Sequence, residues 1–163
     1  MDNTRIRVQR ERFHVGDEYQ WLSQCDEDGA VVTFTGKVRN HNLGDNVNAL
    51  TLEHYPGMTE KMLQKIADEA RQRWPVQRIT IIHRIGELYP GDEIVFVGVT
   101  SSHRNMAFTA AEFMMDYLKT KAPFWKKESL AEGERWVEIK QHDQEAANRW
   151  QSITGNESAE TIE

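Results

Sequence analysis

Cationic side chains near the predicted ends of helices and strands are the residues of this sequence best suited to chemistry. His103 and Arg104 fall in the first turn of a predicted helix that is entered directly from a strand. Unpaired backbone N–H groups and the helix dipole favour an anion there, and a cation opposes the dipole unless an anionic ligand joins it. Lys119 and Lys126 flank the reversal at Ala122-Pro123, the first in the last turn of that helix, the second on a strand returning past its end. Strand alternation sets Phe124, Lys126 and Glu128 on one face and Trp125, Lys127 and Ser129 on the other. Clustered ammonium groups and partial burial both lower a lysine pKa, which suits proton transfer near neutral pH. Lys37 and Arg39, joined by His41, form a third cluster at the mouth of an eight-residue loop, Arg39 to Asn46. Loops of that length in compact domains are disproportionately functional or mobile. Each cluster also has a plainer explanation: helix-end lysines complement the dipole, and charged loops are commonly just solvated.

Other chemistries lack their residues. The single cysteine, Cys25, excludes an internal disulfide and a thiolate zinc cluster, and nothing near it in sequence marks it as an activated nucleophile. Histidines 14, 41, 54, 83, 103 and 142 show no short metal-ligand spacing, and there is no GxGxxG, GxxxxGK[ST] or GxSxG motif. The expectation is therefore no metal and no cofactor. With 20 Lys+Arg against 26 Asp+Glu, the net charge of −6 argues against a broad nucleic-acid-binding face, so any basic site is local. No apolar run approaches the ~18 residues of a membrane span, and the N-terminus lacks the apolar stretch of a secretory signal, which points to the cytoplasm.

These residues need a scaffold, and the 163-residue length suits one domain. Residues 5–9, Ala30 to Val38, Val47 to His54, Val76 to Ile85 and Glu93 to Thr100 read as strands; the last is apolar on both faces and belongs at a sheet centre. Phe124 to Ser129 and Arg135 to Lys140 form a final strand pair around Ala131-Glu132-Gly133. Helical spacing marks Asp17 to Gln24, Thr59 to Trp74 and a helix capped by Ser101 or Ser102 and running to about Lys121, with Asp143 to Trp150 as a closing helix. The pattern is α+β on a mainly antiparallel sheet. Residues 1–150 form a single catalytic domain on this reading. The last thirteen residues hold three Glu and no Lys or Arg, and 151–163 reads as an acidic, disordered tail.

Five segments carry a family resemblance: FTGKVRNHN (Phe34 to Asn42), LEHYPGM (Leu52 to Met58), HRIGEL (His83 to Leu88), VTSSHR (Val99 to Arg104) and YLKTKAPFWKKE (Tyr117 to Glu128). Together, from about residue 5 to 150, they resemble the catalytic large subunits of molybdopterin synthases. The resemblance implies an α/β-hammerhead fold and a dimer of large subunits. It also implies a small ubiquitin-like subunit whose C-terminal Gly-Gly thiocarboxylate enters the pocket. The implied reaction is a sulfurtransfer that converts cyclic pyranopterin monophosphate to molybdopterin in molybdenum cofactor biosynthesis. Carried over position by position, the resemblance implies substrate-binding roles for Lys37, Val38, Arg39, His103, Arg104, Lys127 and Glu128, and catalytic roles for Lys119 and Lys126. Within those, Arg39, His103 and Arg104 are expected to bind phosphate and pterin, Lys119 to meet the thiocarboxylate and move a proton, and Lys126 to position substrate. Lys140 stands where relatives are expected to carry Arg, and lysine lacks the bidentate fork for a phosphate. The rival readings are a non-catalytic oxyanion-binding or adaptor module and a small RNA-binding domain; the net charge disfavours the second.

Overall fold

The computed structural model describes residues 2–151, and apart from Gln151 the expected tail at 151–163 lies outside the described residues. The strands divide between two sheets where sequence patterning named one. The first has the order β1-β5-β7-β2, formed by Thr4–Gln9, Val76–Arg84, Glu93–Ser101 and Ala30–Lys37. Its β1–β5 pairing is parallel, and β5–β7 and β2–β7 are antiparallel. The second has the order β3-β4-β8-β9, from His41–Asn42, Asp45–His54, Phe124–Leu130 and Gly133–Val137, with β6 (Gly86–Leu88) also paired to β4. Its pairings are antiparallel, so the architecture is α+β and mainly antiparallel, as expected.

β7 sits between β5 and β2, which is what its two apolar faces require. Helices α2 (Met58–Arg73) and α3 (Arg104–Lys121) supply Leu63, Ile66, Ala110 and Met114 to the main core, which buries Ile79, Ile81, Val97 and Val99 of the sheet. On the other face α1 (Val15–Leu22) packs Leu22 against Ile82 and Phe96. Gly98 makes that approach possible, because a Cβ there would lie 2.3 Å from Leu22 Cδ1.

Three local readings need correction. The cap position of α3 is His103, not Ser101 or Ser102; Ser101 is buried and its hydroxyl donates to the Pro75 carbonyl at 2.9 Å. The stretch expected to be an open loop folds back on itself: β3 pairs with the start of β4 across Leu43-Gly44, both at positive φ (54° and 84°), the geometry of a tight two-residue hairpin. β6 went unread because three residues are too few for periodicity to show.

After β9 the chain forms α4 (Gln141–Asn148) and a 3-10 turn, Arg149–Gln151. Trp150 anchors this segment. It is 5% exposed, its ring lies 5.5 Å from both Trp74 and Phe113, and its Nε1 donates to Asp116 Oδ2 at 2.8 Å. Emptying such an aromatic site costs about 3–5 kcal/mol. Trp150→Ala is therefore expected to lower unfolding free energy by about that amount in urea titrations and to speed amide exchange selectively across 141–148. Unchanged exchange there would show that α4 is held by something else.

Candidate active site

One cavity of about 530 Å³ opens between the two sheets and the end of α3. Its wall brings together Lys37, Val38, Arg39, Lys119, Lys126 and Glu128 of the residues expected from sequence, and adds Lys140, Asp143, His83 and Phe124. Each comes from a different constraint on the backbone. The ladder of β2 against β7 shifts register between Gly36 and Lys37, and bulges of this kind re-aim the side chains that follow. Val38 is then clamped by two backbone bonds, Val38 N–H to Asp92 O at 2.9 Å and Gly91 N–H to Val38 O at 2.8 Å. α3 stops at Ala122 in an extended conformation, so Lys119 projects at the rim, where its ammonium lies 3.9 Å from Asp143 of α4. Alternation along β8 then aims Phe124, Lys126 and Glu128 inward, as the sequence requires.

Charge is unevenly compensated. Glu128 is buried and already engaged: Arg135 Nε donates to it at 2.9 Å and Asn42 Nδ2 at 3.3 Å. Arg135 continues to Asp45 and to the Asn42 carbonyl, both at 2.8 Å, so this network pins the β3–β4 hairpin to β9 and fixes the cavity mouth. Glu128 is thus a brace rather than a free acceptor. Burial, with the charges of Lys119 and Lys140 adding to it, pushes the Lys126 ammonium pKa below its ordinary value. Lys140 is lowered too, first by burial and then by Arg39 and Lys119. The cavity is therefore short of anions, and an anionic guest supplies what is missing.

Lys127, His103 and Arg104 lie outside it. Lys127 points to the other face of β8, where it pairs with Glu134 at 3.3 Å and lies 5.5 Å from the Trp136 ring centre, as plain strand alternation expects. His103 and Arg104 are exposed at the start of α3, about 22–24 Å from Lys119 along the helix axis at 1.5 Å per residue. Two of the three cationic clusters thus meet within one chain. Cys25 is partly exposed and outside the cavity wall, with its Sγ 3.5 Å from Gln77 Oε1. Among the described residues, no cluster of three His, Cys, Asp or Glu is placed to hold a metal ion, and no helix is long and apolar enough to cross a membrane. Sequence reading missed Asp143 and His83; the first needs α4 folded onto α3, and the second is hidden in an apolar strand.

The sequence model of the family described as MoaE protein matches residues 8–121. The chain belongs to the MoaE family. A molybdopterin synthase catalytic subunit from Yersinia pestis is 73% identical over 150 residues, covering 92% of this chain and 99% of its own. The subunit of that name from Escherichia coli is 71% identical over 150 residues, covering 92% of this chain and 100% of its own. Among solved structures, a molybdopterin biosynthesis MoaE protein from Burkholderia ambifaria superposes with a TM-score of 0.78 at 48% identity, covering 92% of this chain and 99% of that one. A molybdopterin synthase structure from Staphylococcus aureus gives 0.75 at 36% identity, covering 80% and 95%.

The depressed Lys126 carries a stability signature with a definite sign. A lysine whose folded pKa lies below its unfolded value penalises folding while it is charged, fully at pH below the folded pKa, and the penalty fades as pH rises through the ordinary 10.5. Lys126→Met is therefore expected to be more stable than the parent at neutral pH, with the advantage shrinking towards alkaline pH. Denaturant midpoints across pH 6–11 measure it, and a gain that does not depend on pH would contradict the assignment.

Proposed function

We propose that this member of the MoaE family is the catalytic subunit of a molybdopterin synthase. It transfers sulfur from the C-terminal thiocarboxylate of a small ubiquitin-like subunit to cyclic pyranopterin monophosphate, forming the dithiolene of molybdopterin. The observation that carries this reading is the convergence of Arg39, Lys119, Lys126 and Lys140 from four separate segments on one cavity. Both reactants are anions. At ~4 Å and an effective dielectric of ~20, a thiocarboxylate and a phosphate repel by about 4 kcal/mol, and fixed cations offset that repulsion.

Position divides the work. Lys119, exposed at the rim and only loosely paired with Asp143, meets the thiocarboxylate as the donor tail enters. Lys126, deeper and depressed by burial, is the better placed of the two to exchange a proton during transfer. Arg39 and Lys37 hold the phosphate at the mouth. Each sulfur delivered forms a carbon–sulfur bond on the pterin side chain as a carbon–oxygen bond there breaks, one oxygen staying with the phosphate as its ring opens and the other leaving as water, and hydrolysis of the acyl–sulfur bond returns the donor as its carboxylate. The catalytic domain spans 1–150 and works in the cytoplasm on this reading. His103 and Arg104 are too far from the cavity of their own chain to touch its substrate, so their expected binding role requires a second copy. A dimer of large subunits provides one.

Purified chain, thiocarboxylated small subunit and cyclic pterin, assayed for dithiolene product, test the reading. Lys119→Ala is expected to lose at least about a hundredfold in turnover while still folding and docking the small subunit. Lys121→Ala, two residues on and outside the cavity wall, is expected to stay within about twofold. Equal losses would make Lys119 a helix-end charge, and tight pterin binding without turnover in the parent would favour the adaptor reading. For the composite site, mixing inactive Lys119→Ala and His103→Ala chains is expected to restore about a quarter of parental activity, because half the dimers are mixed and each holds one intact site. No recovery on mixing would place His103 outside the reaction.

A further inference from the structure

His83 of the cavity wall has no part in the proposed reaction. His83, near the end of β5, is 4% exposed and belongs to the cavity wall beside Phe124 and Lys126. Its ring stacks on Phe124 with centroids 3.9 Å apart and planes 23° from parallel. Nδ1 lies 2.8 Å from the Arg84 carbonyl oxygen. A carbonyl only accepts, so Nδ1 carries the hydrogen and Nε2 presents a lone pair. Burial above all, with the Lys126 charge adding to it and the Arg84 bond opposing, pushes the imidazole pKa down to about 3, which keeps the ring neutral at any working pH. Nε2 makes no hydrogen bond to any described residue and is not sealed from the cavity.

An acceptor that faces the cavity holds water until a ligand donor replaces it, and a ligand that fills the place without a donor loses that bond. The donor class follows from the surroundings. The phosphate end of a ligand goes to Lys37 and Arg39 at the mouth, while a lone pair repels anionic oxygen and accepts from N–H. The stacked Phe124–His83 pair stands beside Lys126, so the group that reaches Nε2 comes from the ring end of the ligand. We propose that His83 is a specificity-determining residue whose Nε2 accepts a hydrogen bond from a ring N–H of the reduced pterin. This inference rests on the substrate reading above and deepens it. His83 distinguishes the heterocycle, and the lysines and arginine take the charge. A site built around such an acceptor discriminates strongly against ligands lacking the matching N–H.

Two variants separate recognition from packing. His83→Asn places an amide N–H where Nδ1 was, keeping the Arg84 contact, but removes Nε2. His83→Gln offers its Oε1 near the Nε2 position. Calorimetric titration of the full-length chain uses two probes, cyclic pyranopterin monophosphate and inorganic phosphate. His83→Asn is expected to weaken pterin binding by roughly tenfold or more while phosphate affinity stays within about twofold, and His83→Gln is expected to recover most of the loss. Parental pterin affinity in His83→Asn overturns the proposal, and so does parallel loss of both probes or failure of Gln to outperform Asn. A parent chain that binds phosphate but not the cyclic pterin overturns the substrate reading itself, and this inference falls with it.

Discussion

Like charges confined to one cavity repel one another, and most of what this fold does around its site is a response to that constraint. Two ammonium groups about 6 Å apart at an effective dielectric of about 20 repel by about 3 kcal/mol. A flexible scaffold relieves such repulsion by moving the groups apart into water. Here Lys126 is held on the inner face of β8, Lys119 ends a helix whose buried face is locked into the main core, and Arg39 follows a strand whose next residues are clamped by backbone bonds. Burial first, and then the neighbouring cations, hold Lys126 and Lys140 below the ordinary lysine range.

The second sheet, the hairpin and the C-terminal helix make sense in the same terms. Glu128 is the one inward carboxylate on β8, and its lone pairs go to Arg135 and Asn42, so it steadies the cavity mouth rather than neutralising the lysines. Asp143 is a partial counter-ion at 3.9 Å from Lys119, on the segment whose end Trp150 ties into the Trp74–Phe113 cluster. His83 completes the balance by staying neutral. A protonated ring beside Lys126 would add one more cation to a site that already has too many.

The parts of this arrangement that were legible in the sequence are those governed by local periodicity. Alternation alone separated Lys126 from Lys127, and the reversal at Ala122-Pro123 brought Lys119 and Lys126 to one cavity. The two apolar faces of β7 placed it at the centre of its sheet. What escaped depends on long-range geometry. Helix length puts His103 and Arg104 at the far end from Lys119, although a linear motif shows them only as cations at an element end. Asp143 joins the site through α4 docking, and His83 becomes polar machinery only once Phe124 covers its ring. The family resemblance carried Lys127 into the site, but the strand pattern already set it on the opposite face.

The crowding itself can be measured directly. With lysines labelled at 13Cε and 15Nζ, the titration of Lys126 can be followed by NMR in the parent chain and in Lys119→Ala. Lys126 is expected to titrate below the ordinary lysine range in the parent and to rise part of the way towards it when the neighbouring ammonium is removed. A Lys126 that titrates like a free lysine in both chains would contradict this, because the cavity would then hold no excess of positive charge for an anionic substrate to relieve.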